Sequence, residues 1–395
     1  MKKVRLGIIG IGNMGSGHAR NIKAGMCPEI EVTAVADINP ARLEWAKAEL
    51  GEDVALFDNA ETMLDSGKID ACIVSVPHYD HARYVIECMK RGIHVMCEKP
   101  AGVYTLQVRQ MIEEADKHPE AVFGMMFNQR TNCVYRKMRE LVQSGAYGQI
   151  KRTNWIITDW YRPQAYYDSG NWRATWSGEG GGVLLNQAVH NLDIWQWICG
   201  MPCEITAFCD TARYHNIETE DAATIFARYP DGSTGVFITS TGEYPGTNRL
   251  EISGERGKAV IEGGTLRLWT LETSERQVCH ESRESFAKIR TGYTEYTPGE
   301  DERETAHMGV IQAFADAILC GAPLVADGRE GINELMISNA AYISQWKGNL
   351  PIRLPIDPEE FDRLLGEKIA ASKLKSSARG TISGDYSERW SVNWQ

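Results

Sequence analysis

Short apolar runs rich in β-branched residues alternate with longer mixed segments over the first third of the chain. That alternation predicts a parallel sheet with crossover helices. Val4-Arg5-Leu6-Gly7-Ile8-Ile9 reads as a buried strand, as do Glu31 to Ala36, Val54 to Phe57, Ala71 to Val76, His94 to Cys97 and Ala121 to Phe127. Helices are expected between them at Ser16 to Ala24, Pro40 to Leu50, Ala60 to Leu64, His81 to Arg91 and Thr105 to about Lys117. The expected class is α/β with a doubly wound parallel sheet.

Beyond about residue 130 the pattern changes. Val134 to Ser144 reads as a helix and Ile150 to Asp159 as a strand, followed by a Trp/Tyr/Arg-rich stretch from Trp160 to Trp176. After Gly180-Gly181-Gly182 a helix is expected from about Leu184 to Cys199. Apolar runs at Ala222 to Tyr229 and Thr234 to Thr241 flank Pro230-Asp231-Gly232-Ser233, a hairpin signal, and Arg249 to Ser253 and Lys258 to Glu262 follow as strands. The expectation is an antiparallel sheet with one open face available for pairing subunits. Helices at His307 to Leu319 and Gly331 to Trp346 come next. The polar tail after Lys368 carries Tyr386, Trp390 and Trp394, and is expected to act as an arm that orders on a partner subunit.

Between the first two strands lies Gly10-Ile11-Gly12-Asn13-Met14-Gly15, and Asp37, 22 residues past Gly15, closes the second strand. Gly10 suits a sharp turn, Gly12 leaves room for a pyrophosphate, and Gly15 lets a helix lie close to the sheet. The amides and positive dipole end of that helix suit phosphates. Asp37 suits the adenosine ribose hydroxyls and repels a 2′-phosphate, so NAD is favoured, while Arg42 nearby keeps NADP open. Strand, glycines, helix, strand and acid in register point to a dinucleotide.

The 395 residues allow two or three domains, with ordinary hydrophobic (43%) and charged (24%) content. A formal charge of −11 argues against nucleic acid or an anionic membrane as partner. No run of about 18 apolar residues occurs, and Met1-Lys2-Lys3 leads into a strand instead of a signal segment, so a cytoplasmic protein is expected. Ten cysteines include no C-x-x-C pair and read as reduced core thiols, with no metal site.

Three places carry candidate chemistry. Lys99, in Glu98-Lys99-Pro100, follows the fifth strand at the end of the sheet where ligands bind. A cofactor ring beside it would lower its pKa and make it a general base; the plainer alternative is a surface ion pair with Glu98. In the segment from Gly180 to Asp193, a helix from about Leu184 puts Asn186 and His190 at i and i+4 on one face, with Asp193 able to fix the imidazole tautomer. A buried structural histidine is the alternative there. Trp160, Tyr161, Arg162, Trp172, Arg173 and Trp176 offer flat faces and donors that suit sugar rings, against a merely packed loop. Ser75 and Pro77 at the end of the fourth strand and Glu98 after the fifth are cofactor candidates; His78, Tyr79 and His81 after the fourth strand, and Asn128 and Arg130 after the sixth, are expected beside the nicotinamide, with Arg130 also a substrate candidate.

With Gly10 to Gly15, Val76-Pro77, His94 to Pro100 and Gly180…His190…Asp193 in this order, the chain resembles the glucose–fructose oxidoreductase/inositol dehydrogenase/MocA family over about residues 1 to 355. The resemblance implies a Rossmann domain (1–130), to which helix 328–346 returns, and an α/β domain (131–327) with a large, mostly antiparallel sheet; the arm (366–395) falls outside it. It implies NAD(P)-dependent redox at a carbon of a sugar, polyol or related compound; the aromatics of Trp160 to Trp176 favour a ring carbon of a sugar or glycoside, C3 being one position, and the open sheet face and the arm suit a homodimer or homotetramer. Lys99 and His190 match the family's lysine and histidine. Asn186 replaces the usual Asp four residues before that histidine, and an amide cannot take a proton, which moves the base role to His190 or Lys99. His78 stands where the family usually has Asn. An NAD-retaining glycosidase and a non-enzymatic NAD-bound sensor are the alternative functions.

Overall fold

The structure is a computed structural model that describes residues 3–299, 302 and 305–373. The tail residues Tyr386, Trp390 and Trp394 lie outside the described residues. The chain forms two compact units, Met1–Thr131 with Glu304–Leu335, and Asn132–Arg303 with Met336–Gln395.

The first unit runs β1 (Val4–Ile9), α1 (Asn13–Lys23), β2 (Ile30–Ala36), α2 (Pro40–Leu50), β3 (Ala55–Phe57), α3 (Ala60–Leu64), β4 (Ala71–Val74), α4 (His81–Lys90), β5 (His94–Cys97), α5 (Thr105–Lys117) and β6 (Phe123–Met125). Its six strands are all parallel, in the order β3-β2-β1-β4-β5-β6. The winding reverses between β1 and β4, so a crevice opens beyond their carboxyl ends. Helix α1 starts at Asn13, three residues before Ser16, because the turn is completed by Gly10 and the rest of the motif is already helical. Asn39 and Asn59 cap α2 and α3, each side chain accepting a backbone N–H of the first turn.

The second unit holds α6 (Cys133–Gln143), β7 (Ile150–Ile157), α7 (Gln164–Asp168), α8 (Val189–Cys199), β8 (Glu204–Thr211), β9 (Glu220–Arg228), β10 (Thr234–Ser240), β11 (Asn248–Gly254), β12 (Gly257–Glu262), β13 (Thr265–Leu271), α9 (Glu275–Glu281) and β14 (Thr291–Tyr296). The chain then gives α10 (Ala306–Cys320), α11 (Gly331–Trp346), β15 (Ile352–Arg353) and α12 (Pro358–Ala371). The nine strands are ordered β14-β13-β12-β11-β7-β10-β9-β8-β15; only β7 and β10 pair in parallel. Along β9 and β10 burial alternates, as expected for a sheet with one packed face. Trp155 of β7 stands opposite Phe237 of β10 and Leu250 of β11, and Trp195 of α8 lies 5.4 Å from Phe237. These four side chains are fully buried and seat α8 on the sheet.

Helix α10 belongs to the first unit although nearly two hundred residues separate it from β6. Val310, Ile311 and Phe314 form one face and join Leu6, Ile8, Ile11 and Ile22 in a single core. Replacing Phe314 by Ala should therefore destabilise the first unit by about 3–5 kcal/mol. A shift in the urea midpoint measures it, and a change within error would detach α10 from that core.

Candidate active site

In the first unit, Gly10 has φ +86°, and a Cβ there would fall 2.4 Å from the Ser75 carbonyl oxygen. A Cβ at Gly15 would fall 2.0 Å from the Gly10 carbonyl oxygen, so the helix approaches the turn this closely only as glycine. Gly12 differs, since a Cβ there would meet nothing within 4 Å. This open backbone adjoins an end of α1 that no side chain caps. The amides of Asn13, Met14 and Gly15 lie in the helical turn that lacks intrahelical acceptors, a place that suits a pyrophosphate.

Asp37 faces the same turn. Its Oδ2 accepts the Ile11 N–H and its Oδ1 the Asn39 N–H, both at 2.8 Å. Each oxygen keeps a lone pair for a ribose hydroxyl. Arg42 Nε donates to the Ile11 carbonyl at 2.5 Å, and its guanidinium lies 4.9 Å from the Trp45 ring centre. These residues fit a dinucleotide: room over Gly12, an open helix end, and an anchored carboxylate. Asn128, just after β6, adds a buried amide oxygen with no hydrogen-bond partner among the described residues.

Lys99 follows β5 and is half-buried. The alternative of a surface pair with Glu98 is not what forms, because Glu98 is buried and its Oε1 meets His18 Nε2 of α1 at 2.6 Å. Its Oε2 accepts the Lys99 backbone N–H at 3.2 Å. Burial pushes the Glu98 carboxyl up, but the hydrogen bond and charge of His18, with His307 and Lys99, outweigh it and hold it at about 2. The His307 ring lies 5.6 Å from that of His18; burial and the neighbouring His18 push it down to about 4. Glu98, expected at the cofactor, thus acts as a brace between α1 and the Lys99 segment. His18 and His307 were not legible as its partners, since neither lies near it in sequence nor in a motif.

His81 also takes a role other than the one expected. Its ring is buried, with Nδ1 2.7 Å from the Pro100 carbonyl and Nε2 2.8 Å from the Val76 carbonyl, so it ties the segments after β4 and β5 together. Burial pushes its pKa below the ordinary value. His78 is buried in the 3-10 turn His78–Asp80, its ring 5.9 Å from His81, and Tyr79 packs 5.8 Å from Tyr104. Ser75 and Pro77 flank this turn, Ser75 donating its N–H to Ile9. Arg130, a candidate for substrate, is buried and bonds Glu330 Oε2 at 2.6 Å, a structural ion pair of the first unit.

In the second unit the glycine run lets the backbone press against β9. A Cβ at Gly182 would fall 1.9 Å from the Glu220 carbonyl oxygen, and one at Gly181 2.4 Å from the Tyr342 hydroxyl. The buried Glu220 carboxylate accepts the N–H of Gly182 (3.0 and 3.1 Å), the N–H of Leu184 (3.0 Å) and the Tyr342 hydroxyl (2.8 Å). Burial pushes its carboxyl up to about 7 against those donors. Residues 183–188 are held as a turn, and α8 begins only at Val189. The expected pairing of Asn186 and His190 on one helical face is therefore corrected: Asn186 precedes the helix, while His190 sits buried in its first turn. Asp193 Oδ1 accepts the Gln196 side-chain amide at 3.0 Å.

Asn186 donates its amide to the Glu179 carboxylate and, at 3.4 Å, to the Tyr166 hydroxyl. Arg173 Nη1 lies 2.9 Å from that hydroxyl, and its guanidinium 4.5 Å from the Trp172 ring centre. Asn186, Arg173 and Trp172 are thus gathered, with Tyr166 and Glu179 as unforeseen members; Glu179 directly precedes the glycine run, the one local signal. Trp160 and Trp176 are not sugar platforms. Trp160 is buried with its indole N–H on Asn191 (3.0 Å), and Trp176 packs against Tyr342 and Trp346. Tyr161 is exposed, 5.6 Å from Tyr244, and Arg162 bonds its carbonyl at 2.8 Å.

Residues 4–125 match a family model described as an oxidoreductase family with an NAD-binding Rossmann fold, GFO_IDH_MocA, and residues 135–260 match the GFO/IDH/MocA C-terminal domain. The myo-inositol 2-dehydrogenase of Thermotoga maritima is 26% identical over 344 residues, covering 86% of this chain and 95% of that one. The inositol 2-dehydrogenase of Rhizobium meliloti is 24% identical, covering 86% and 96%. Among solved structures, the WlbA dehydrogenase of Chromobacterium violaceum, in complex with NADH and UDP-GlcNAcA, is similar with a TM-score of 0.75 and 25% identity, over 90% of this chain and 97% of that one.

Two outcomes are expected. Asp37→Ser should weaken NAD binding about 10–100-fold while NADP binding is unchanged or improved, as titration calorimetry can show. Equal weakening of both would remove Asp37 from the discrimination. For His307, a pKa of about 4 in the folded protein against 6.5 ordinarily means stability is full above 6.5 and is lost as pH falls towards 4. The loss amounts to about 3 kcal/mol at most. Urea unfolding across that range should show a shallower pH slope for His307→Asn, and an unchanged slope would contradict it.

Proposed function

The chain belongs to the GFO/IDH/MocA family of oxidoreductases, with its NAD-binding Rossmann fold, and on that footing we propose that it is an NAD-dependent dehydrogenase oxidising a ring-carbon hydroxyl of a sugar, polyol or glycoside. The observation that carries this reading is the braced Glu98-Lys99-Pro100 segment. An amine is presented at the carboxyl end of β5, in the unit with the dinucleotide cradle, and Glu98–His18 and His81–Pro100 hold its backbone. The inositol dehydrogenases, and the WlbA dehydrogenase in complex with NADH and UDP-GlcNAcA, among the similar proteins support the substrate class.

Bound NAD supplies the hydride acceptor. The proton of the substrate hydroxyl passes to Lys99 or His190, since Asn186 has no basic lone pair and serves to orient. Loss of that proton and of the hydride from the carbon leaves a carbonyl. With Trp160 and Trp176 in the core, the aromatic side chains of that stretch left to meet a ring are Tyr161, Tyr166 and Trp172. The reading therefore stays with the wider class, C3 of a glycoside being one member.

Wild-type protein given NAD and a panel of inositols, hexoses and glycosides should form NADH with at least one. Release of a chromogenic aglycone without net NADH would instead indicate a cofactor-retaining glycosidase. Lys99→Ala should lower turnover about 10²–10⁴-fold with the Kd for NAD unchanged. Full turnover in that variant would take Lys99 out of the mechanism.

A further inference from the structure

The second unit contains a carboxylate that the reading above leaves unused. Glu179 is only 3% exposed, and its carboxylate accepts the Ala174 N–H on Oε2 at 2.6 Å and the Asn186 side-chain amide on Oε1, with the Arg173 guanidinium 3.9 Å from Oε1. Two donors and a cation favour the anion. An anionic carboxylate only accepts hydrogen bonds, so the arm of Asn186 facing it has to be the NH2, however the amide is drawn. The neighbouring Tyr166 hydroxyl lies 3.4 Å from the same nitrogen, and Gln187 Nε2 and Arg173 Nη1 approach that hydroxyl at 3.3 and 2.9 Å. The nitrogen of Asn186 is thereby committed within the second unit.

We propose that Glu179 is a positioning residue that locks the Asn186 amide so that its carbonyl oxygen is offered to a substrate hydroxyl. The proposal rests on the dehydrogenase reading. It explains how this chain works with an amide at position 186: the negative charge is kept, moved to Glu179, and Asn186 relays its acceptor character without bearing it. A substrate then has to donate a hydrogen bond to Asn186, which selects hydroxyls over ethers at that position.

The Ala174 N–H makes the lock testable. In E179Q that N–H retains the oxygen of the new amide, which turns the Gln NH2 towards Asn186 and flips the Asn186 amide, so a donor is offered in place of the acceptor. In N186D two carboxylates face each other, and one has to bind a proton. In E179Q/N186D the Gln NH2 donates to the Asp carboxylate, and an acceptor is again offered.

The wild type and these three variants are compared in two ways. Without substrate, the Tm of N186D should fall relative to wild type as pH rises from about 5.5 to about 8.5, because a carboxyl whose pKa is raised in the folded state loses stability on deprotonation. The double variant should lose this slope. With a substrate that the wild type oxidises, E179Q should lower kcat/KM about tenfold and N186D about 10–100-fold, with NAD affinity kept, and the double variant should return to within about threefold of wild type. A pH-independent Tm difference for N186D, or a double variant no better than its worse parent, overturns the lock. If no substrate yields NADH with the wild type, the dehydrogenase reading and the kinetic role fall together, while the Tm comparison still decides the contact between Glu179 and Asn186.

Discussion

Backbone closeness is the constraint on which each of the two units depends for its candidate residues. At Gly15 the amino end of α1 comes within a bond-length-scale distance of the Gly10 carbonyl, measured from where a Cβ would stand, and at Gly182 the turn approaches the Glu220 carbonyl as closely. Any side chain would open these contacts. In the first unit the outcome is a helix end with room over Gly12; in the second it is a turn that delivers Asn186 before the first turn of α8.

Buried carboxylates convert that closeness into fixed geometry. Glu98 bonds His18 and the Lys99 N–H, Glu220 gathers two backbone amides and the Tyr342 hydroxyl, and Glu179 takes the Ala174 N–H and the Asn186 amide. A buried carboxylate without such donors would be costly, so each one restricts the backbone around it to the few arrangements that supply them. Their environments also separate them chemically: Glu98 stays ionised down to about 2, whereas Glu220, with neutral donors only, sits at about 7. Each of the three fixes the backbone or side chain next to it: Glu98 the Lys99 N–H, Glu220 the turn before α8, and Glu179 the Asn186 amide.

Much of the fold was legible along the chain, for local reasons. Strand period, β-branched runs and Gly or Pro stops mark β1 to β6 closely, and Pro230 to Ser233 marks the hairpin of β9 and β10. The dinucleotide motif was equally plain, since its parts are consecutive and each glycine has a local duty. The expected helix from Leu184 failed because its apolar residues have helical spacing, yet Glu220, more than thirty residues on, holds the Gly182 and Leu184 amides in a turn. Trp160 and Trp176 carry the composition of a sugar platform, but partners distant in sequence, Asn191, Tyr342 and Trp346, draw them into the core.

The sequence by itself determined the strand–helix alternation, the glycine motif with Asp37, and which amine, imidazole and amide stand as candidates for chemistry. These follow from periodicity and from residue types at short spacing, which neighbouring residues impose. Only the tertiary structure decided which chemically capable side chains are committed to holding backbone, as with Glu98 and His81, or to a buried ion pair, as with Arg130, and which way Asn186 is turned. Hydrogen-bond partners are chosen by packing between segments far apart in the chain, and no local pattern of residues records that choice.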